Sequence, residues 1–428
     1  MDFRLAYGRT HLHVDIPEKN LRHVLQPREA SPIADVPGEL ARVLRAPTAS
    51  PPLRDLAAGA RTVAIVVDDV TRPTPTRVML PPIVAELHAG GVRDDDVTIV
   101  FATGLHRRHT AAETEYLLGA DIVARYRVVD HVARDESTLV YLGETSRGTP
   151  VSVNRIVAEA DLRVLTGLIK PHVYAGYTGG GKAILPGVSG MQTIIADHGF
   201  RALSHPCSVA GVIAGNPMRE DVEEAAGLIG ATFIVNLVVD WRKQVVGVAA
   251  GDMVEAHRAG ATLLDAIAKV PVPGQVDVAI AGCGHPIDID FYQMLNSLGS
   301  CARIPVPLVR DGGIVILAGE SPEGIGHPEF VDITSAGSSP QAVLDMIAGP
   351  GYFRVDQWAA QMLCEILTRM DVIVVSANLS PDDLAAIHVE HAPTVEAALE
   401  RAFERLGADL QIAVLPTAPY TIPVVHAG

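Results

Sequence analysis

Apolar residues along this chain fall mainly into short unbroken runs. TVAIVVDD (Thr62–Asp69), Val97–Phe101, DLRVLTGL (ending at Leu168) and ATFIVNLVVD form a first set, and VDVAIAGCG (from Val276), GGIVILAGES, MDVIVVSANL and LQIAVLPTA form a second. Such runs predict strands buried on both faces. Stretches with helical spacing lie between them, including VTRPTPTRVMLPPIVAELHAGGV, SGMQTIIADH and DMVEAHRAGATLLDAIAKV. Strand, loop and amphipathic helix in alternation is the grammar of βα units. The start of the chain differs. Residues 1–16 alternate polar and apolar (RLAYG, HLHVDI), which predicts two short strands, and residues 17–60 are proline-rich and helix-forming by turns. Residues 120–160 add strand-like pieces (YRVVDH, LVYLGE, PVSVNRIV).

The expected fold class is α/β: two α/β domains with mostly parallel sheets and the active site in the cleft between them. VPVPGQ (Val270–Gln275) reads as a linker, which places the boundary near Gly274 and the domains at 1–273 and 274–428. A chain of 428 residues is too long for one compact core, which agrees with two domains.

Composition adds exclusions. A net charge of −16 argues against binding a nucleic-acid backbone. The four cysteines are widely spaced without a CxxC, which suits a reducing compartment and argues against a thiolate zinc site. The N-terminus has no apolar signal core and no run reaches the length of a membrane span, so a cytoplasmic location without membrane contact is expected. Nothing in the sequence speaks to oligomeric state.

Candidate chemistry gathers at the carboxyl ends of the first-set strands, where open α/β sheets collect ligands. The densest stretch is Leu168–His198, LIKPHVYAGYTGGGKAILPGVSGMQTIIADH. Gly179, Gly180 and Gly181 offer bare backbone N–H groups suited to an anion, Lys182 follows, and Ser189 is positioned to cap a helix ending at His198. DDVTRPTP brings Asp69 and Arg72; Arg72 could clamp a carboxylate or phosphate, or simply pair with Asp69. ATGLH brings His106, where a catalytic residue would stand, and His109 forms an HxxH pair without an evident third ligand and reads as solvated, as do His11 and His13 on their edge strand. Three such loops should converge on one site. In the second half, GHPIDIDFYQMLNS offers His285, Asp288, Asp290, Tyr292 and Gln293, while Trp358 near a helix start reads as packing from periodicity alone; His205, His285 and His327 receive no role.

Gly176-x4-Gly181-Lys182 has Walker A spacing, but Ala183 follows where a hydroxyl should hold Mg²⁺, which counts against an NTPase. HVYAGYTGGGKAILPG with its downstream histidine resembles instead the signature of the lactate racemase family, and DDVTRPTP, TGLHR, DIDFYQ and DQW resemble family motifs in the same order, over most of the chain.

That resemblance implies an isomerase, a 2-hydroxy acid racemase or epimerase. It works by proton-coupled hydride transfer to and from a nickel-pincer nucleotide through a 2-oxo acid. It implies Lys182 as covalent tether, His198 as nickel ligand, and His106 and His172 as the acid/base pair. Imidazole titrates near working pH, which suits that task. It further implies that Asp69, Thr71 and Gly179–Gly181 help bind the nucleotide, that Arg72 holds the substrate carboxylate, and that Tyr292, Gln293, Asn296 and Trp358 lie near the substrate. The N-terminal domain would then bind the cofactor and the C-terminal domain close over the substrate.

The family commonly carries a lysine three residues after the glutamine of FYQ; here Asn296 stands there. Losing that charge favours a substrate larger than lactate, such as a sugar acid. The alternatives are a P-loop-like ATP-binding enzyme and a cofactor-binding homologue without racemase activity.

Overall fold

Adjacent strands of one six-stranded sheet carry the first set of apolar runs. The computed structural model describes residues 1–230 and 232–426. The sheet order is Val245–Asp252, Phe233–Val239, Leu162–Ile169, Val63–Asp68, Val97–Ala102 and Arg127–Asp130. All neighbours are parallel except the first pair. Leu162–Ile169 is buried at every position, because packed layers cover both faces. The loops after Leu162–Ile169, Val63–Asp68 and Val97–Ala102 therefore leave neighbouring strands at the same sheet edge, where convergence was expected. Ala231, the first residue of the ATFIVNLVVD run, lies outside the described residues.

The second sheet is parallel throughout, in the order Glu390–Ala392, Asp371–Val375, Val309–Ala318, Val276–Gly282, Ile412–Leu415 and Leu21–Val24. Its last strand comes from the N-terminus. The hairpin Asp2–Tyr7/Thr10–Asp15 also belongs here, since Leu5, Val14 and Ile16 pack on Val278, Ile280 and Ile316. The first 25 residues thus depart from an N-terminal unit of 1–273. Their apolar positions are matched to the second sheet, and Leu21–Val24 covers what would be its open edge. His11 and His13 on the hairpin are exposed.

The stretch read as a linker is tied down. Lys269–Val272 pairs in parallel with Ile422–Val425. One apolar cluster runs from Ile169, Tyr174 and Tyr177 of the first unit to Phe291, Leu298 and Leu363 of the second. Tyr174 and Tyr177, just before the glycine-rich turn, thus belong to the apolar cluster that both units share. No helix among the described residues is long and apolar enough to cross a membrane.

Candidate active site

The loop 170–183 is held from several sides at once. Arg219, fully buried on the helix Pro217–Gly227, donates to the carbonyls of Ala175 (3.1 Å), Gly179 (3.4 Å) and Tyr177. His257 Nε2 donates to the Thr178 carbonyl at 2.9 Å, and Asn216 Nδ2 to that of Tyr174 at 2.7 Å. Thr178 Oγ1 reaches back to Leu168 O and accepts from Lys170 N. Gly179 and Gly180 both have positive φ, at 79° and 60°, and a Cβ on Gly180 would lie 3.0 Å from the His257 ring. Only glycine meets both conditions without strain.

This packing corrects part of the expected anion cradle: Gly180 N–H is already given to Asn236 Oδ1 at 2.8 Å. The glycines instead let the chain turn tightly enough to aim Lys182. A short 3₁₀ turn, Gly180–Ala183, follows, and the next helix begins only at Met191, so the strand–loop–helix context of a P-loop is absent. That helix, Met191–Asp197, is capped by Gly190 without a side-chain bond. Ser189, expected as the cap, donates to Ile184 O instead.

Two histidines stand in opposite hydrogen-bonding states. His106 gives Nδ1–H to Asp69 Oδ2 at 2.5 Å, which leaves Nε2 free to accept. Asp69 is buried, with Oδ1 taken by the Thr71 hydroxyl (2.6 Å) and N–H (3.0 Å). Burial opposes its charge, but the His106 and Thr71 bonds and the Arg72 charge prevail, and its carboxyl sits below the usual range. Asp69 thus braces the His106 ring through one oxygen and its own loop through the other, and Arg72 forms no side-chain pair with it among the described residues. His172 is the converse. Its Nδ1 accepts from Tyr174 N (3.2 Å) and Ala175 N (3.1 Å), so the neutral ring carries its proton on Nε2. Burial first, then the charges of Lys182, Arg72, Arg219 and Lys170, hold this imidazole well below its ordinary pKa.

Lys182 lies in the same neighbourhood. Burial and the Arg219 and Arg72 charges lower its ammonium to about 7, although Asp197 opposes them. A partly neutral amine is a nucleophile. His198 follows the helix Met191–Asp197 as its C-cap and is buried. Its Nδ1 lies 3.2 Å from Ile194 O in hydrogen-bonding geometry and 3.1 Å from Asp197 Oδ2. We assign the Nδ1–H to the Ile194 carbonyl, the contact that meets hydrogen-bonding geometry, and both Asp197 oxygens are buried without a hydrogen-bond partner. With Nδ1–H so committed, Nε2 keeps its lone pair, the state of a metal-bound histidine. No group of three His, Cys, Asp or Glu able to hold a metal occurs among the described residues. His198 Nε2 is thus one protein donor that a metal could use.

From the second unit, Trp358 sets its ring edge-on to His198, with centroids 5.2 Å apart. Its indole N–H donates to Tyr292 Oη (2.9 Å), which donates to Asp356 Oδ1 (2.9 Å), while Asp356 Oδ2 takes His327 Nδ1–H (2.9 Å). His327 stacks on Tyr292 at 3.8 Å. Trp358 is thus more than packing. His327 and Asp356, both at positive φ, are paired in a strained geometry typical of working sites. Gln293 and Asn296 stand on the Tyr292 helix, Asn296 Nδ2 donating to Gln293 O at 2.9 Å. Asp288 and Asp290 are structural: Asp288 accepts from Gly8 N and Glu320 N, and Asp290 caps the helix.

His109 reverses its sequence reading. Its side chain is 1% exposed, bonded to Asp130 (2.6 Å) and packed at a tilt on Phe101, and Nε2 accepts from Val70 N at 3.1 Å. It braces the Asp69–Arg72 loop. Sequence reading also missed Arg219, Asn236, His257, Asp197 and Lys170, which nothing in the local pattern sets apart from ordinary strand, helix or loop residues.

Residues 7–211 match the lactate racemase N-terminal domain and residues 272–422 the lactate racemase C-terminal domain. The chain is 31% identical over 421 residues to lactate racemase of Thermoanaerobacterium thermosaccharolyticum, covering 97% of each. It is 32% identical over 373 residues to lactate racemase of Lactiplantibacillus plantarum, covering 86% of this chain and 87% of that one. The lactate racemase apoprotein structure from T. thermosaccharolyticum superposes over the whole of both chains with a TM-score of 0.91 at 29% identity. A Thermotoga maritima protein shares the fold at a TM-score of 0.70 and 17% identity.

Proposed function

The chain belongs to the lactate racemase family, whose members are isomerases, and we propose that it racemises or epimerises a 2-hydroxy acid larger than lactate with a nickel-pincer nucleotide. The observation that carries this reading is the complementary state of the two histidines. As the rings stand, His106 presents an acceptor at Nε2 and His172 a donor at Nε2. That is the pairing needed to take a hydroxyl proton from one enantiomer and return one to the other. When bound, the cofactor supplies a hydride acceptor for the α-hydrogen of the acid, which is too weakly acidic to leave as a proton.

The chain's own residues have distinct tasks. Lys182 tethers the cofactor through its amine, and His198 holds nickel through Nε2. Asp69 fixes the His106 tautomer and stabilises the imidazolium formed when it takes the proton, as the acid of a catalytic triad does. Arg72, exposed and without a side-chain partner among the described residues, meets the substrate carboxylate. Tyr292, Gln293, Asn296 and Trp358 line the substrate from the second unit. That unit closes over the acid, while residues 26–273 carry the cofactor.

The test is the purified, cofactor-loaded protein assayed against a panel of 2-hydroxy and aldonic acids. Interconversion of a longer or more hydroxylated acid is expected, and turnover of lactate alone would sink the substrate assignment. Inactivity on the whole panel with an intact adduct would leave a cofactor-binding homologue.

A further inference from the structure

Two helices of the second unit begin in a way that sacrifices local stability. His327 stands at the N-terminus of Pro328–Ser335 and Asp356 at that of Gln357–Leu367, and both take left-handed backbone, at φ 34° and 67°. An aspartate at such a position ordinarily accepts from the first N–H groups of its helix. Neither side chain makes that bond here. Left-handed backbone adds a cost that glycine would avoid. Asp356 instead gives both oxygens to groups outside its helix, Oδ1 to the Tyr292 hydroxyl and Oδ2 to His327 Nδ1–H, each at 2.9 Å.

The side chain held by these two residues is Tyr292. His327 lies flat on its ring, 3.8 Å away with 5° between the planes, and Asp356 fixes the direction of its O–H. Burial, then the Asp356 charge, hold the phenol well above its ordinary pKa, so it stays the donor in that bond. A phenol oxygen whose proton is committed has only lone pairs left to offer. One of them takes the Trp358 indole N–H at 2.9 Å. Trp358 is held at its other end too, because Tyr174 of the first unit donates to its carbonyl at 2.5 Å. Its ring meets His198 edge-on, with centroids 5.2 Å apart. Contacts therefore run unbroken from two helix starts on the second unit to the imidazole on the first.

We propose that His327 and Asp356 are positioning residues: they lock Tyr292, Tyr292 locks the Trp358 indole, and the indole braces the His198 ring across the two units. Side-chain capping of both helices is given up for that alignment. The nickel that His198 would hold rests on the racemase reading; the locking of Trp358 does not.

The chain has two tryptophans, and the other, Trp241, lies against Arg242 on the first unit. Full-length Trp241→Phe apoprotein therefore reports the fluorescence of Trp358 alone, and it is the parent for the variants. Glycine and asparagine both tolerate left-handed backbone, so neither adds strain at position 356. Asp356→Gly removes the whole connection. Asp356→Asn keeps an acceptor for Tyr292 and turns its amide N–H toward His327 Nδ1, which accepts in the other tautomer. Asp356→Gly and His327→Gly should at least roughly double the acrylamide quenching of Trp358, with the urea midpoint close to the parent's because relieved strain offsets the lost bonds. Asp356→Asn should be quenched as the parent is. In cofactor-loaded enzyme, Asp356→Gly should release nickel to a mild chelator at least about tenfold faster than wild type, with the Lys182 adduct intact.

Unchanged quenching in Asp356→Gly overturns the proposal, and so does equal quenching in Asp356→Gly and Asp356→Asn. Failure of both glycine variants to fold, or a urea midpoint far below the parent's, also overturns it, because the two residues would then serve stability. Nickel release from Asp356→Gly at the wild-type rate overturns the bracing of His198. A wild type that carries neither nickel nor adduct after co-expression with the cofactor-making enzymes removes the racemase reading, and the quenching result then decides the locking of Trp358 by itself.

Discussion

Asp69 Oδ2 lies 2.5 Å from His106 Nδ1, and the other carboxylate oxygen is held by Thr71, so the acid can serve only one imidazole. The acid is 4% exposed and the histidine side chain 43%, which places a buried charge directly behind a ring that opens toward the site. Asp69→Asn keeps the shape but removes the charge, and its single carbonyl oxygen cannot accept from both His106 Nδ1–H and the Thr71 donors. Turnover should fall by about 10²–10⁴-fold with KM little changed, the signature of a group acting in the transition state. Asp69→Glu should recover part of the rate. A steady-state comparison of kcat and KM for both enantiomers decides it, and a pure KM effect would return Asp69 to a binding role.

Much of this arrangement was legible because strands buried on both faces carry unbroken apolar runs, and the polar loops after them mark their carboxyl ends. The Val63–Asp68, Val97–Ala102 and Leu162–Ile169 strands were readable for that reason, and so was the meeting of their loops. What lay outside local pattern was not. Leu21–Val24 finds its partner, Ile412–Leu415, at the far end of the chain. The burial of His109 depends on Asp130 and Val70, which neighbouring strands bring to it. Arg219 sits in a helix where a charged residue ordinarily faces water, and only the tertiary fold reveals three carbonyls around it.

Lys182 carries a pH signature. Its ammonium is lowered from 10.5 to about 7 in the folded chain, so the unfolded chain binds a proton between these values that the folded one does not. The stability of the apoprotein should therefore rise with pH across that window. Below pH 7 both states are protonated and the whole cost of burying the charge is present. Lys182→Met should stabilise the apoprotein there by roughly 2–5 kcal/mol, shrinking toward pH 10. Urea denaturation at pH 6 and pH 9 tests this. Equal gains at both pH values would show that Lys182 is an ordinary solvated lysine.

The same lowering makes the amine selectively reactive. In apoprotein exposed briefly to a limiting acylating reagent at pH 7, peptide mapping should find Lys182 modified ahead of surface lysines, whose ammonium form protects them at that pH. Its reactivity should rise through half-maximum near pH 7. Modification in the same proportion as the other lysines would contradict the neutral amine on which tethering depends.

Arg219 should be among the most costly side chains to truncate. Arg219→Met leaves the carbonyls of Ala175, Tyr177 and Gly179 without their donor in a buried loop, and a loss of about 3–5 kcal/mol is expected. Because the loop sets the position of Lys182, adduct formation should fall too, even at temperatures where the variant stays folded. Chemical denaturation and intact mass after co-expression with the cofactor-making enzymes read the two effects separately.

If His198 holds the metal and Lys182 the organic group, as proposed, the two should fail in different ways. Nδ1–H of His198 is committed to Ile194 O, so removal of the ring deletes a single metal donor, at Nε2, along with that bond and the contacts with Trp358 and Asp197. His198→Ala should keep the Lys182 adduct in the intact mass yet bind nickel at least about tenfold more weakly, losing it to a mild chelator that spares the wild type. Lys182→Ala should lose both, because the described residues contain no group of three ligands to keep the metal once the organic donors are gone. Nickel retained by Lys182→Ala would mean that the protein binds the metal without the tethered group, and the division of labour between these two residues would have to be redrawn.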